Sequence, residues 1–129
     1  MPVPGQLINP FGSRYGDGDL SRRGITIAVS KGTPVQAIHP GRVVFSDWLR
    51  GTVLLVIIDH GQGYMSLYGS NQALSKQTGD WVDAGDIVST SGIANELAGN
   101  RENSQTRPGI YFEIRLHGKP QDPAQWFSE

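Results

Sequence analysis

The chain has no cysteine, so no disulfide staples the fold and no thiolate is available to a metal or a redox reaction. It has no apolar run long enough to cross a bilayer as a helix and no amino-terminal secretory pattern, so it is expected neither to span a membrane nor to carry its own address. An excess of one charge is also missing. Eleven Lys and Arg against 12 Asp and Glu leave a formal net charge of -1, which offers nothing to a polyanion, and nucleic acid is not an expected partner. Heptads, nucleotide-binding glycine motifs and a Gly-x-Ser-x-Gly nucleophile turn are all absent.

What is present reads as all-β. The 129 residues suit one domain with a real core, and the 17 glycines and 8 prolines are spread along the chain rather than pooled in a linker. Strand-like runs recur between turn signals: residues 24–29, 34–37, 41–48, 53–59, 64–68, 87–90 and 110–116. Val53 to Ile58 is continuously apolar, as in a strand buried on both faces. His60-Gly61-Gln62-Gly63 then predicts a tight hairpin turn. Asn71 to Lys76 is the best place for a short helix or helical turn, and the polar, glycine-bearing stretch from Ile93 to Thr106 reads as a loop.

Alternation along residues 110–116 sorts side chains onto two faces. Ile110, Phe112, Ile114 and Leu116 share the face expected to meet the core, and Gly109, Tyr111, Glu113 and Arg115 share the other. In the first strand Ile25 and Ile27 point inward, which turns Arg22, Gly24 and Thr26 outward. From alternation alone both outward sets could be ordinary solvated faces. His39, His60 and His117 fall in separate turns without metal-ligand spacing and are expected to serve the surface or the turns. Asp59 reads as a turn-capping carboxylate rather than half of a catalytic dyad with His60. Trp48, Trp81 and Trp126 are expected to pack in the core or at a sheet edge.

Three segments carry a resemblance. They are Gly24 to Trp48, Val56 to Tyr68 (Val-Ile-Ile-Asp-His-Gly-Gln-Gly-Tyr-Met-Ser-Leu-Tyr) and Phe112-Glu-Ile-Arg115, whose order and spacing resemble the lysostaphin-like (LytM) peptidase domain over nearly the whole chain. The resemblance implies a mostly antiparallel β-sheet domain with a long groove, the duplicated hybrid motif. In active members a zinc ion held by a His-x-x-x-Asp motif and the second His of a His-x-His motif cleaves peptidoglycan cross-links. Here those positions are Arg22 and Thr26, then Gly109 and Tyr111, and the assisting histidine of the middle strand falls at about Ser70. Arginine stays protonated and has no lone pair to give a dication, and catalytic zinc needs three protein ligands. The resemblance therefore implies no catalytic residue, no metal and no cofactor.

Within the family, Ser46-Asp-Trp-Leu-Arg-Gly51, Met65-Ser-Leu-Tyr-Gly-Ser-Asn-Gln72 and Arg107-Pro-Gly-Ile-Tyr-Phe-Glu-Ile-Arg115 are similar to the EnvC-type murein hydrolase activators of Gram-negative bacteria. Two features depart from the pattern: Gly51-Thr-Val53 in place of Gly-Tyr-Gly, and a longer loop from Ile93 to Thr106. The resemblance implies a single degenerate domain over residues 1–129, the C-terminal part of a longer periplasmic protein. Its expected partner is a periplasmic N-acetylmuramoyl-L-alanine amidase, with peptidoglycan as a second candidate. A septal transporter-like complex would be reached through other parts of the parent. Arg22, Arg23, Thr26, Tyr68, Arg107, Tyr111, Glu113 and Arg115 are the expected groove residues, with Tyr68 and Tyr111 as aromatic anchors and the arginines as carboxylate-pairing groups. A peptidoglycan-binding module without an activator role is the alternative reading.

Overall fold

Period-two alternation and frequent turns build a sheet network in the computed structural model, which describes residues 1–9, 24–49, 53–94 and 107–123. Its strands are β1 (Gln6–Asn9), β2 (Ile25–Ala28), β3 (Pro34–Gln36), β4 (Gly41–Leu49), β5 (Val53–Gly61), β6 (Tyr64–Gly69), β7 (Asn71–Leu74), β8 (Trp81–Val82), β9 (Ile87–Ala94), β10 (Arg107–Leu116) and β11 (Lys119–Gln121). The main path runs β1-β2-β10-β6-β5-β4-β8; β9 joins it at β10 and carries β3 and β7, and β11 pairs with β10. Every pairing is antiparallel. Among the described residues there is no α-helix, so the all-β expectation holds.

The apolar run of β5 lies between β4 and β6, where Leu54, Leu55, Val56 and Ile58 are buried. The hairpin to β6 closes on Gln62 and Gly63, with φ values of 56° and 88°. Two consecutive positive φ angles give the mirror-image turn that suits the right-handed twist of a hairpin. Gly61, with φ of 90°, lies at a register shift between Asp59 and Gly61, so the expected turn residues 60 and 61 belong instead to the end of β5.

The core gathers one face of the sheet. Ile25, Ile27, Val56, Ile58, Tyr68, Ile110, Phe112 and Ile114 pack with Val35, Ala37, Val43, Val82 and Val88. Val3 joins them, and the neighbouring Pro2 carbonyl accepts from the Gln36 amide 2.8 Å away, so the amino-terminal segment is part of the packing.

The expected helical turn at Asn71 to Lys76 is corrected: residues 71–74 form β7 on β9. The reason is Asn71, which is buried and fully engaged. Its amide nitrogen donates to the carbonyls of Leu54 and Tyr68 at 2.9 and 2.8 Å, and its oxygen accepts from Ser89 Oγ at 2.7 Å. Ser70, at φ 64°, supplies the left-handed step that turns the chain from β6 into β7. Part of the expected loop from Ile93 to Thr106 is also strand, since β9 continues to Ala94; residues 95–106 lie outside the described residues.

Candidate functional site

β10 lies between β2 and β6, so the strand expected to line a groove is held on both sides. Gly109, Ile110, Tyr111 and Phe112 face Ala28, Ile27, Thr26 and Ile25 of β2, and Tyr111 to Leu116 face Gly69 to Tyr64 of β6. Direct partners in an antiparallel pair share a face. Thr26, Tyr111 and Gly69 therefore lie side by side on the face opposite the core.

Along that face runs a continuous polar line. The Tyr111 hydroxyl donates to Glu113 Oε2 at 2.6 Å, and Arg115 Nε donates to Glu113 Oε1 at 2.7 Å. Tyr111 is 2% exposed and Glu113 1% exposed, whereas the Arg115 side chain keeps 31%. A buried carboxylate is tolerable because each oxygen has a donor and one donor is a cation. Gly24 makes room for this line: a Cβ there would collide with the Phe112 carbonyl oxygen and come within 2.6 Å of Glu113 Cγ. The expected set is thus partly assembled and partly re-assigned. Thr26, Tyr111, Glu113 and Arg115 come together on one face. Tyr111 is no exposed anchor, because its hydroxyl is committed to a buried carboxylate.

Tyr68 is a correction. Its register partner is Phe112, which puts it on the core face, wholly buried, with the two rings 5.2 Å apart. It cannot line the groove. Arg22 and Arg23 lie outside the described residues, as does the side chain of Arg107; the Arg107 backbone opens β10.

The described part of this site does not fit a zinc ion. A Cβ at Gly109 would collide with the Ile27 carbonyl oxygen, so the backbone of β2 occupies the space a ligand there would need. Tyr111 is spent on Glu113, and Thr26 Oγ1 is buried with no hydrogen-bond partner among the described residues. Among the described residues no group of three or more His, Cys, Asp or Glu side chains is placed to hold a metal.

A second constellation was missed by treating the histidines as separate turn residues. The His39 and His60 rings meet edge to face at 5.4 Å between centroids. His60 Nδ1 lies 2.8 Å from the Pro40 carbonyl oxygen, so this nitrogen is the donor. Neutral Nε2 then accepts from Ser66 Oγ at 2.7 Å, Ser66 Oγ lies 2.8 Å from Tyr68 Oη, and Tyr68 Oη accepts the Ile38 amide at 3.2 Å. Burial is the main cause that lowers the pKa of His60. Burial likewise pushes the Tyr68 phenol up to about 12. The sequence signal was the alternation of Ile58, His60 and Ser66, Tyr68 on paired strands.

The tryptophans depart from expectation too. Trp81 does sit on the terminal strand β8, yet it is 73% exposed, and Trp48 is also exposed; Trp126 lies outside the described residues.

Compared with known proteins, residues 21–123 match the model of Peptidase family M23. The chain belongs to this family. It is 39% identical over 125 residues to the murein hydrolase activator EnvC of Escherichia coli K12, covering 97% of this chain and 28% of that protein. It is 34% identical over 129 residues to the murein hydrolase activator NlpD of the same organism, covering 99% of this chain and 31% of that one. The M23 chain thus spans less than a third of either relative. In architecture it is similar to lysostaphin of Staphylococcus simulans, with a TM-score of 0.78 over 96% of this chain and 50% of that chain at 21% identity. That likeness supports the antiparallel M23 fold.

Proposed function

We propose that this M23 domain is a non-catalytic activator of a periplasmic N-acetylmuramoyl-L-alanine amidase, acting in septal peptidoglycan splitting during cell division. The single observation that carries the proposal is the line Tyr111–Glu113–Arg115: where family members hold a metal, this chain holds a tyrosine whose hydroxyl serves a buried carboxylate, which in turn fixes an arginine at the surface. The names of the two murein hydrolase activators agree with this reading.

The groups divide the work by exposure. Arg115 makes the contact: Nε is committed to Glu113, while its Nη nitrogens are left to pair with a partner carboxylate. Tyr111 and Glu113 are positioning residues that hold the guanidinium in one orientation and so reduce the entropy lost on binding. Arg22, Arg23 and Arg107 belong to the same proposal as further cations. Activation follows by population shift. An amidase whose regulatory segment covers its zinc site is opened only to the extent that this domain binds the open state more tightly than the closed one.

The test pairs metal analysis with a dye-release assay on labelled sacculi. The chain alone should bind no stoichiometric zinc and release no dye, and should raise release by a cognate amidase. Chelator-sensitive release by the chain alone would overturn the proposal. Binding to sacculi without any effect on amidases would favour a peptidoglycan-binding module instead.

A further inference from the structure

Register places Trp81 of β8, Arg42 of β4, Asp59 of β5, Met65 of β6 and Arg115 of β10 in one cross-strand row. Partners in register share a face, so Trp81 looks out on the same side as Arg115, four inter-strand steps or roughly 19 Å along the sheet. Val82, the other residue of β8, is buried, and alternation therefore forces Trp81 outward. The Arg42 guanidinium stands 5.7 Å from the indole centroid, which orients the ring while leaving most of it to solvent.

The indole borders a hollow of about 540 Å³ whose other walls include Arg42, Asp59, His60 and Asp83. That volume is within the range of small-molecule sites. Of the polar groups, Asp59 commits one oxygen, Oδ1, to the Gly61 amide 2.9 Å away. The Asp83 carboxylate has no partner among the described residues, and both His60 nitrogens are engaged within the protein. The hollow thus combines one fixed aromatic face with a guanidinium and two carboxylates that have acceptor capacity to spare.

We propose that the hollow at Trp81 is a saccharide subsite, with the indole stacking on the apolar face of a pyranose and Asp59, Asp83 and Arg42 bonding its equatorial hydroxyls. The chemistry selects a sugar because the hollow pairs one apolar wall with polar groups that between them donate and accept. A helix docking here would instead meet an uneven row of opposite charges with a single apolar group. The assignment rests on this hollow alone and stands whether or not the domain activates an amidase.

Chitotetraose, the β-1,4-linked tetramer of N-acetylglucosamine, is titrated into the full 129-residue chain, followed by amide and indole NMR shifts. Saturable shifts should centre on Trp81, Arg42 and Gly41. Affinity should fall by about tenfold or more in Trp81→Ala, the loss of one good stacking contact, and by several-fold in Asp83→Asn. Trp48→Ala, which removes the other exposed indole described, should bind within about twofold of the parent. Trp81 is exposed enough that its removal leaves the fold intact, which a melting curve checks, and Asp83→Asn supplies an independent readout. No saturable binding by the parent chain, or equal affinity in Trp81→Ala, overturns the proposal. So does a Trp81→Ala variant that loses amidase stimulation while the parent binds no sugar, since the surface would then be a protein contact.

Discussion

Glu113 Oε2 lies 2.6 Å from the Tyr111 hydroxyl, two residues back on the same strand, and its other oxygen holds Arg115 Nε at 2.7 Å. The carboxylate is buried and both partners are needed to offset its desolvation. Arg115→Met should therefore cost about 1–3 kcal/mol of stability, because it leaves a buried charge with one donor. Adding Glu113→Gln to Arg115→Met should recover part of that loss. Urea unfolding of the two single variants and the double variant reads the coupling; strict additivity would show that the pair does not act as a unit.

The Gly109 position has no room for a side chain, since β2 backbone lies against it. Gly109→His combined with Tyr111→His should lower the melting temperature and still bind no stoichiometric zinc. Zinc uptake by that variant at unchanged stability would show that the ligand-shaped space survives.

Thr26 Oγ1 is a buried hydroxyl with no partner among the described residues, an unusual state for a polar atom. Thr26→Val keeps the shape and deletes the orphan, and should stabilise the fold by about 1 kcal/mol. A lower urea midpoint in Thr26→Val would mean that the hydroxyl has a role in the fold.

His60 gives the fold a pH dependence of known sign. Burial is the main cause of its lowered pKa, so the unfolded chain binds the extra proton first as pH falls. Stability should decline below about pH 6.5, the ordinary histidine value, and level off once the folded state also protonates. The hydrogen-bond chain adds to the effect of burial. A proton on Nε2 makes that nitrogen a donor to Ser66 Oγ, so the Ser66 hydroxyl loses its acceptor on His60, and whichever way it turns, one of the Ser66 and Tyr68 hydroxyl protons is left without an acceptor among the described residues. Urea midpoints at pH 7.5 and 5.5 should differ more in the parent than in His60→Gln. Equal differences would remove His60 from the account.

Much of the frame was legible because it is local. The apolar run of β5, the Gln62–Gly63 turn and the two faces of β10 follow from period two and turn chemistry. What was not legible depends on partners far along the chain. Asn71 looks like a helix start until its bonds to Leu54, Tyr68 and Ser89 are seen. Tyr68 reads as a groove aromatic until its register with Phe112 turns it to the core. His39 and His60, and likewise Trp81 and Arg42, meet only because separate elements bring them together. The burial of Tyr111 and Glu113 has the same origin: alternation gives the face on which a side chain lies, and says nothing of what covers it.

In the proposed function β10 is a contact strand whose working group is Arg115. This role is tested most directly by dye release from labelled sacculi with a cognate N-acetylmuramoyl-L-alanine amidase, comparing the parent chain with Arg115→Ala and Arg115→Lys, each shown folded by its melting curve. The parent should raise release, Arg115→Ala should reduce the stimulation by about tenfold or more, and Arg115→Lys should restore only part of it, since an ammonium cannot pair in bidentate fashion. Full stimulation by folded Arg115→Ala would contradict this role.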